Sequence, residues 1–457
     1  MTTRSAYRRH VAETLRLGLP LAGSLLAQFS VGVVDVIMMG WYGVDALAAV
    51  VLGSSAFFVL FIFGSGFAHA VTPLVADAAA KGYEPEMRRV TRMALWISAA
   101  FAVLILPLTW SSAPVLRALG QEPGLAGQAE TYLRIVGFQM LPALTAMVLR
   151  SFLSALERTR FIFWVTILGA VTNALLNWIL IFGNLGAPEL GVQGCALASL
   201  LANLLMTAAF IVHTALARGL RSSALYHRLW KSDPDALRGV FRLGLPISLT
   251  LLAEVGLFAA AAFMFGWIGV NDLAAHGIAI QVASATFLVH LGLSQAATIR
   301  AGRARGKGDQ DWLRGGALTA TLISLLLALI AAAVFLLFPE FLVGLFLDPE
   351  NPERVEIVRI GAVLLMIGGV FQLADAAQVM ALGLLRGVQD TTVPMLIAGI
   401  SYWGIGMPAG YVLAFPMGLG GAGVWFGLVL GLSASAIMLS ARFWLKSSRI
   451  AATGDPV

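Results

Sequence analysis

The sequence predicts an all-α integral membrane protein in which twelve transmembrane helices form two homologous six-helix lobes. Three observations carry that prediction. Hydrophobic residues make up 59% of the 457 positions and charged residues only 12%, whereas a soluble chain is about half apolar and about a quarter charged. Apolar runs of about 20 residues, each able to cross a hydrocarbon core of about 30 Å as a helix, recur about twelve times. The chain also repeats itself, since RLGLP at Arg16 to Pro20 returns at Arg242 to Pro246, 226 residues further on.

The first run, near 15–39, follows Arg4, Arg8 and Arg9, and the second, 46–72, is followed by Lys81, Arg88 and Arg89. The third and fourth, 91–111 and 129–151, lead to Arg158 and Arg160; the fifth and sixth, 161–183 and 192–216, lead to Arg218, Arg221, Arg228 and Lys231. In the second half, 238–265 and 273–298 lead to Arg300, Arg303, Arg305 and Lys307. The runs at 316–338 and 357–383 lead to Arg386, and those at 393–415 and 419–443 lead to Arg442, Lys446 and Arg449. A closed barrel would show alternating segments of about ten residues, a pattern these runs lack.

The connections on the opposite side are nearly bare of basic residues. GWYGVD, GNLGAPELGVQG and GWIGVND contain no Lys or Arg, and the 339–359 stretch is net acidic. About 26 of the 30 basic residues fall on one side, which cytoplasmic loops favour. Both termini of this multi-pass protein are therefore expected in the cytoplasm. The net charge of +6 follows from this bias and from contact with anionic membrane lipid, so nucleic acid is not an expected partner. The basic start runs into a full-length span, unlike a cleavable secretory signal. The single cysteine, Cys195, excludes a disulfide framework within the chain and reads as a small buried hydrophobe.

The repeat fixes the domain organisation. Over Arg16 to Ala49 and its counterpart, 16 of 34 positions are identical without a gap, and GVQGCA (Gly191 to Ala196) aligns with GLGGAG (Gly418 to Gly423) at nearly the same offset. Two six-helix units that begin on the same side are parallel repeats, related by a pseudo-two-fold axis along the membrane normal. The expected division is an N-terminal lobe at 1–215, a cytoplasmic linker at 216–240 and a C-terminal lobe at 241–457. Such a chain reads as a secondary transporter with its substrate cavity between the lobes.

The differences between the halves are equally informative. Gln28 corresponds to Glu254, and Asp35 corresponds to Ala261. Ionisable groups inside the spans are few: Asp35, His69, Glu254, His276, His290 and Asp375. An intramembrane carboxylate costs a few kcal/mol on insertion scales and usually marks an ion or substrate pathway, whereas the three histidines read as hydrogen-bonded packing residues. Glu254 lies 12 residues after Arg242 and Asp375 lies 11 before Arg386. With both arginines at the surface, each acid is expected about 17 Å inward at about 1.5 Å per residue. Asp35, 19 residues beyond Arg16, is expected about 28 Å along, towards the outer side. Two carboxylates at one level in low dielectric tend to retain a proton or bind a cation. Glu254 and Asp375 are therefore the candidate cation site, with Na⁺ or H⁺ as coupling ion, oxygen being the preferred ligand of a hard cation. No other metal and no cofactor is expected.

The stretches RLGLPLAGSLLAQFSVGVVDVIMMGWYGVDALAA and TPLVADAAAKGYEPEMRR resemble the first helix, and the loop after the second, of multidrug and toxic compound extrusion transporters. The resemblance covers essentially the whole chain. Glu254 in the seventh span and Asp375 in the tenth make it similar to the NorM-like bacterial branch. It implies export of cationic, amphipathic compounds in exchange for sodium or protons. It also implies that Asp35, Asn173 and Asn177 form a polar proton or substrate site in the N-terminal lobe. One departure stands out: Phe371 occupies the position four before Asp375 where the resemblance leads one to expect tyrosine.

Rival readings fare less well. GRARGKG (Gly302 to Gly308) has the wrong spacing for a phosphate loop and no Ser or Thr after Lys307. There is no HExxH and no GxSxG, so an enzyme is not expected. The glycine, aspartate and arginine signature of major-facilitator transporters is missing after the second span. The main alternative is a flippase or exporter of a lipid-linked sugar or polysaccharide, whose anionic cargo calls for basic residues that the spans almost lack. The expected function is thus a monomeric multidrug efflux antiporter working by alternating access, with Phe57, Phe61, Phe258, Phe263 and Phe287 as candidate cavity residues.

Overall fold

The computed structural model describes residues 3–220, 223–350 and 352–450. Arg221 and the last residues, 451–457, lie outside the described residues. All regular structure in them is helical, and twelve helices are long and apolar enough to span a membrane. They are α1 (Thr3–Tyr42), α2 (Val44–Ala80), α3 (Glu84–Trp110), α4 (Pro123–Ala155), α5 (Thr159–Phe182) and α6 (Val192–Leu216) in the first half. The second half holds α7 (Pro234–Ile268), α8 (Val270–Lys307), α9 (Gln310–Leu337), α10 (Arg354–Gly387), α11 (Thr392–Ala414) and α12 (Gly420–Ser447).

The repeat is visible in the breaks between helices. α1 passes to α2 at Gly43 and α7 to α8 at Gly269, one residue each and 226 apart. α2 and α8 both end next to a glycine with left-handed backbone, Gly82 at φ 69° and Gly308 at φ 66°. That conformation lets the turn satisfy the last helical carbonyls without a Cβ clash. Two short helices, Ser112–Ala118 and Pro339–Gly344, follow α3 and α9. At seven and six residues, they leave no periodic signal in a search for spans.

By proximity of backbone atoms the chain forms two compact units, 23–248 and 1–22 with 249–457. These boundaries do not fall in the 216–240 stretch that the sequence marked as a linker. They fall inside α1 and inside α7, again 226 residues apart. The reason lies in close helix packing within each unit. In the unit of 1–22 and 249–457, a Cβ on Gly292 would stand 2.5 Å from Ala22 Cα, and Gly18 meets Leu293. In the 23–248 unit the repeat-equivalent Gly66 would meet Ser248 Cα at 2.6 Å, and Gly244 meets Phe67. Ser248 also donates its hydroxyl to the Phe63 carbonyl at 2.6 Å. The N-terminal halves of α1 and α7 thus lock into glycine notches on α8 and α2.

Arg300 extends the notch on α8. Its guanidinium, 5% exposed, donates to the His10 carbonyl at 3.2 Å and the Thr14 hydroxyl at 2.6 Å. The core of the 23–248 unit includes a cluster around Tyr132, Leu133, Ile181 and Cys195. The other unit has one around Leu257, Phe265, Tyr402 and Trp425. Within it, α11 and α12 touch through Gly410 and Gly427 and through Gly406 and Gly431. Small residues spaced by four let helix backbones approach closely in a membrane.

Candidate functional site

In the 23–248 unit, α5 buries Ile162, Thr166, Gly169, Asn173, Asn177 and Ile181. Their spacing of three and four residues puts both asparagines on the face that packs on α6. Asp35 of α1 meets them there. Asn177 donates its amide to Asp35 Oδ1 and, at 3.2 Å, to Asn173 Oδ1. Ser199 of α6 donates to Asp35 Oδ2 at 3.3 Å and accepts from Asn173 at the same distance. The structure therefore brings Asp35, Asn173 and Asn177 together and adds Ser199. Sequence reasoning passed over Ser199, although it stands four residues after Cys195 and four before Asn203, on one polar line of α6. Each carboxylate oxygen accepts one hydrogen bond and the Asn177 carbonyl oxygen, buried, accepts none among the described residues. Cys195 is buried and free, as expected.

Two to three turns of α1 before Asp35, a basic group enters the interior. Arg150 of α4 is 7% exposed and donates to Gln28 Oε1 at 3.1 Å and Ser24 Oγ at 2.8 Å. It is an exception to the expectation that the spans hold almost no basic residues. Its acceptor, Gln28, is the repeat equivalent of Glu254.

The second site is built by the unit of 1–22 and 249–457. Phe371, Asp375, Gln378, Leu382 and Leu385 form one buried line along α10, and Glu254 shares a line of α7 with Leu257 and Ala261, both fully buried. Glu254 lies close enough for its charge to act on Asp375 and on the Tyr402 phenol. Gln378 donates to the Tyr402 hydroxyl, and the hydroxyl of Ser435 of α12 lies beside it. Four buried oxygens, Glu254 Oε1, Asp375 Oδ1, Gln372 Oε1 and Gln378 Oε1, have no hydrogen-bond partner among the described residues. An oxygen-rich, carboxylate-bearing set of this kind fits a hard monovalent cation or a proton.

Tyr402 sits in a π-helical segment, Ile400–Gly406, inside α11. Such segments concentrate at functional sites because the extra residue per turn redirects side chains. The adjacent Trp403 donates its indole N–H to the Ala253 carbonyl at 3.2 Å and packs on Gly256, bracketing Glu254. The phenol absent at Phe371 thus has a counterpart from another helix. Phe371 itself packs against Trp425 and Phe258, at ring distances of 5.6 and 6.1 Å. Nothing in the sequence near 402 pointed to this role, and sequence reasoning also passed over Gln372 and Gln378, although their spacing of three residues either side of Asp375 was a signal that could have found them.

Arg386 departs from its expected place at the surface. It is partly buried, and its charge acts on Glu254. His276 accepts from Trp425 at 3.2 Å and stacks on Phe265, and His290 pairs with Ser324 at 2.9 Å, which are packing roles. His69 is partly buried in α2. Phe57 and Phe61 stack on each other at 6.3 Å, Phe287 is half-buried, and Phe263 is 72% exposed.

The sequence profile of the MatE family matches residues 20–179 and 246–412. The chain belongs to the MatE family. Members of this family, the multidrug and toxic compound extrusion or MATE transporters, are membrane transporters and not enzymes. Two MATE relatives are each named probable multidrug resistance protein NorM. The one from Rhizobium meliloti (strain 1021) is 43% identical over 448 residues, 98% of this chain and 96% of its own. The one from Agrobacterium fabrum is 44% identical over 440 residues, 96% and 95% of the two chains. The eukaryotic MATE transporter AtDTX14 has the same fold at a TM-score of 0.87 and 19% identity, covering 98% of this chain and 99% of its own. An outward-facing multidrug resistance MATE transporter of the MOP superfamily matches at 0.83 and 21%, covering 98% and 97%.

Proposed function

We propose that this MATE protein is a multidrug efflux antiporter of the bacterial inner membrane that exports cationic, amphipathic compounds in exchange for Na⁺ or H⁺. The observation that carries the reading is the buried oxygen set around Glu254 and Asp375, four of whose atoms lack internal partners. Burying carboxylates in a span without compensating bonds is costly, so the set calls for a proton or cation. Asp35 with Asn173, Asn177 and Ser199 forms the second site, for a proton or for the cationic group of the cargo. Membership of the MatE family and the NorM name of the relatives support drugs as the cargo class. Both termini are assigned to the cytoplasm.

In the proposed cycle the cation stabilises the outward-facing, drug-releasing state, through a higher affinity for it than for the inward-facing one. The test is uptake of ethidium by inverted vesicles under an imposed Na⁺ or H⁺ gradient. Drug movement driven by either gradient, and abolished by Glu254→Gln, supports the reading. Gradient-independent movement, or full activity of the Glu254→Gln variant, overturns it.

A further inference from the structure

We propose that the 23–248 unit contains a seat for one anionic phospholipid, with an acyl chain in a groove beside α3 and the phosphate at Arg92, Arg228 and Lys231. The groove has a volume of about 870 Å³ and is lined by Trp96, Leu104, Leu141, Ile211 and Leu229 among others. Its wall is hydrocarbon except for three polar groups. Two of them are engaged: the Trp96 indole N–H donates to the Leu229 carbonyl at 2.8 Å, and the Tyr226 hydroxyl pairs with Thr214 at 2.6 Å. The third is the Thr145 hydroxyl. The groove therefore has almost nothing with which to recognise a polar cargo. Val103 and Leu104 on its wall are 71% and 75% exposed, as suits a surface that meets lipid. From Trp96 to Leu104 it follows α3 for eight residues, about 12 Å.

At the basic end of the groove, one turn before Trp96, stands Arg92. It is 5% exposed; Nη1 donates to the Arg228 carbonyl at 3.2 Å, while Nε is buried without a partner among the described residues. The nearest carboxylate, Asp233, is 3.8 Å from Nη2 and already bound by both sides of the Arg89 fork. Arg89 also takes up Glu86. Arg228 and Lys231 are exposed and form no ion pair among the described residues. An unfilled guanidinium donor held against the Arg228 backbone, two exposed cations in the same 223–233 segment and interfacial aromatics at Trp96, Tyr226 and Trp230 suit an anionic headgroup above an apolar chain.

The test uses the full chain in detergent, offered phosphatidylglycerol or phosphatidylcholine in mixed micelles and examined by native mass spectrometry. Brominated acyl chains report contact through quenching of Trp96, with Trp96→Phe as reference. One phosphatidylglycerol is expected to bind at least tenfold more tightly than phosphatidylcholine. Arg228→Gln with Lys231→Gln removes that preference, and Ala100→Trp, which fills the groove from an exposed position, removes the adduct and the quenching. Equal binding of the two lipids, an adduct unchanged by both variants, or displacement of the adduct by ethidium would each overturn the proposal. The last result would identify the groove as a cargo portal.

Discussion

Gly292 and Ala22 lie so close that α8 and the N-terminal half of α1 share one surface: a Cβ on Gly292 would come within 2.5 Å of Ala22 Cα. The atoms opposed are backbone, so no side chain can turn aside.

Gly292→Ala is therefore expected to be destabilising by about 1–3 kcal/mol, the usual range for overpacking, read as a lower melting temperature in detergent. Gly66→Ala, facing Ser248, should behave alike. Gly32 in α1 has nothing within 4 Å, and Gly32→Ala should be neutral or slightly stabilising. Equal losses at Gly32 and Gly292 would contradict the notch.

Asp35→Asn should lower drug export without lowering membrane expression, because the hydrogen-bonding shape survives while the charge is lost. Ser199→Ala removes one of the two bonds to the carboxylate and should weaken export by a few-fold, corresponding to about 1 kcal/mol for one net hydrogen bond. Full resistance in cells carrying Asp35→Asn would make the residue structural.

Glu254→Gln and Asp375→Asn should each abolish ion-driven efflux, and the double variant should be little worse, since groups acting as a unit are not additive. Tyr402→Phe keeps the ring buried but leaves the Gln378 amide without its acceptor. A weaker ion dependence with retained drug binding is the expected pattern. Wild-type gradient-driven transport by the double variant is the outcome that removes the carboxylate switch.

Asp233, just before α7, is held at a pKa of about 2, below its ordinary 3.8, chiefly by the hydrogen bonds from Arg89. The depressed value means that its contribution is fully present above about pH 4 and is lost as pH falls towards 2. Protection of the 223–233 segment against proteolysis or hydrogen exchange should thus be flat from pH 8 to 5. Asp233→Asn should lower it at every pH in that range. A loss of protection already between pH 7 and 6 in the unsubstituted chain would point to another group.

The sequence by itself determined the class, the number of spans and the repeat, because these depend on hydrophobic length and on identity at a fixed offset, which are one-dimensional quantities. It also marked Asp35, Glu254 and Asp375, since an acid in an apolar run stands out whatever the packing. Asn173 and Asn177 were reachable through the family pattern and the helical period of α5. Only the tertiary structure decided who meets these acids. Ser199 reaches Asp35, and Tyr402 and Arg386 come near Glu254, each from a helix distant in sequence from the acid it meets, and a serine or tyrosine in an apolar span costs too little to look unusual alone. The same holds for the unit boundaries. A polar linker at 216–240 looks like a border in composition, yet the contacts change within α1 and α7, where Gly292 and Gly66 admit a neighbouring backbone that no local pattern announces.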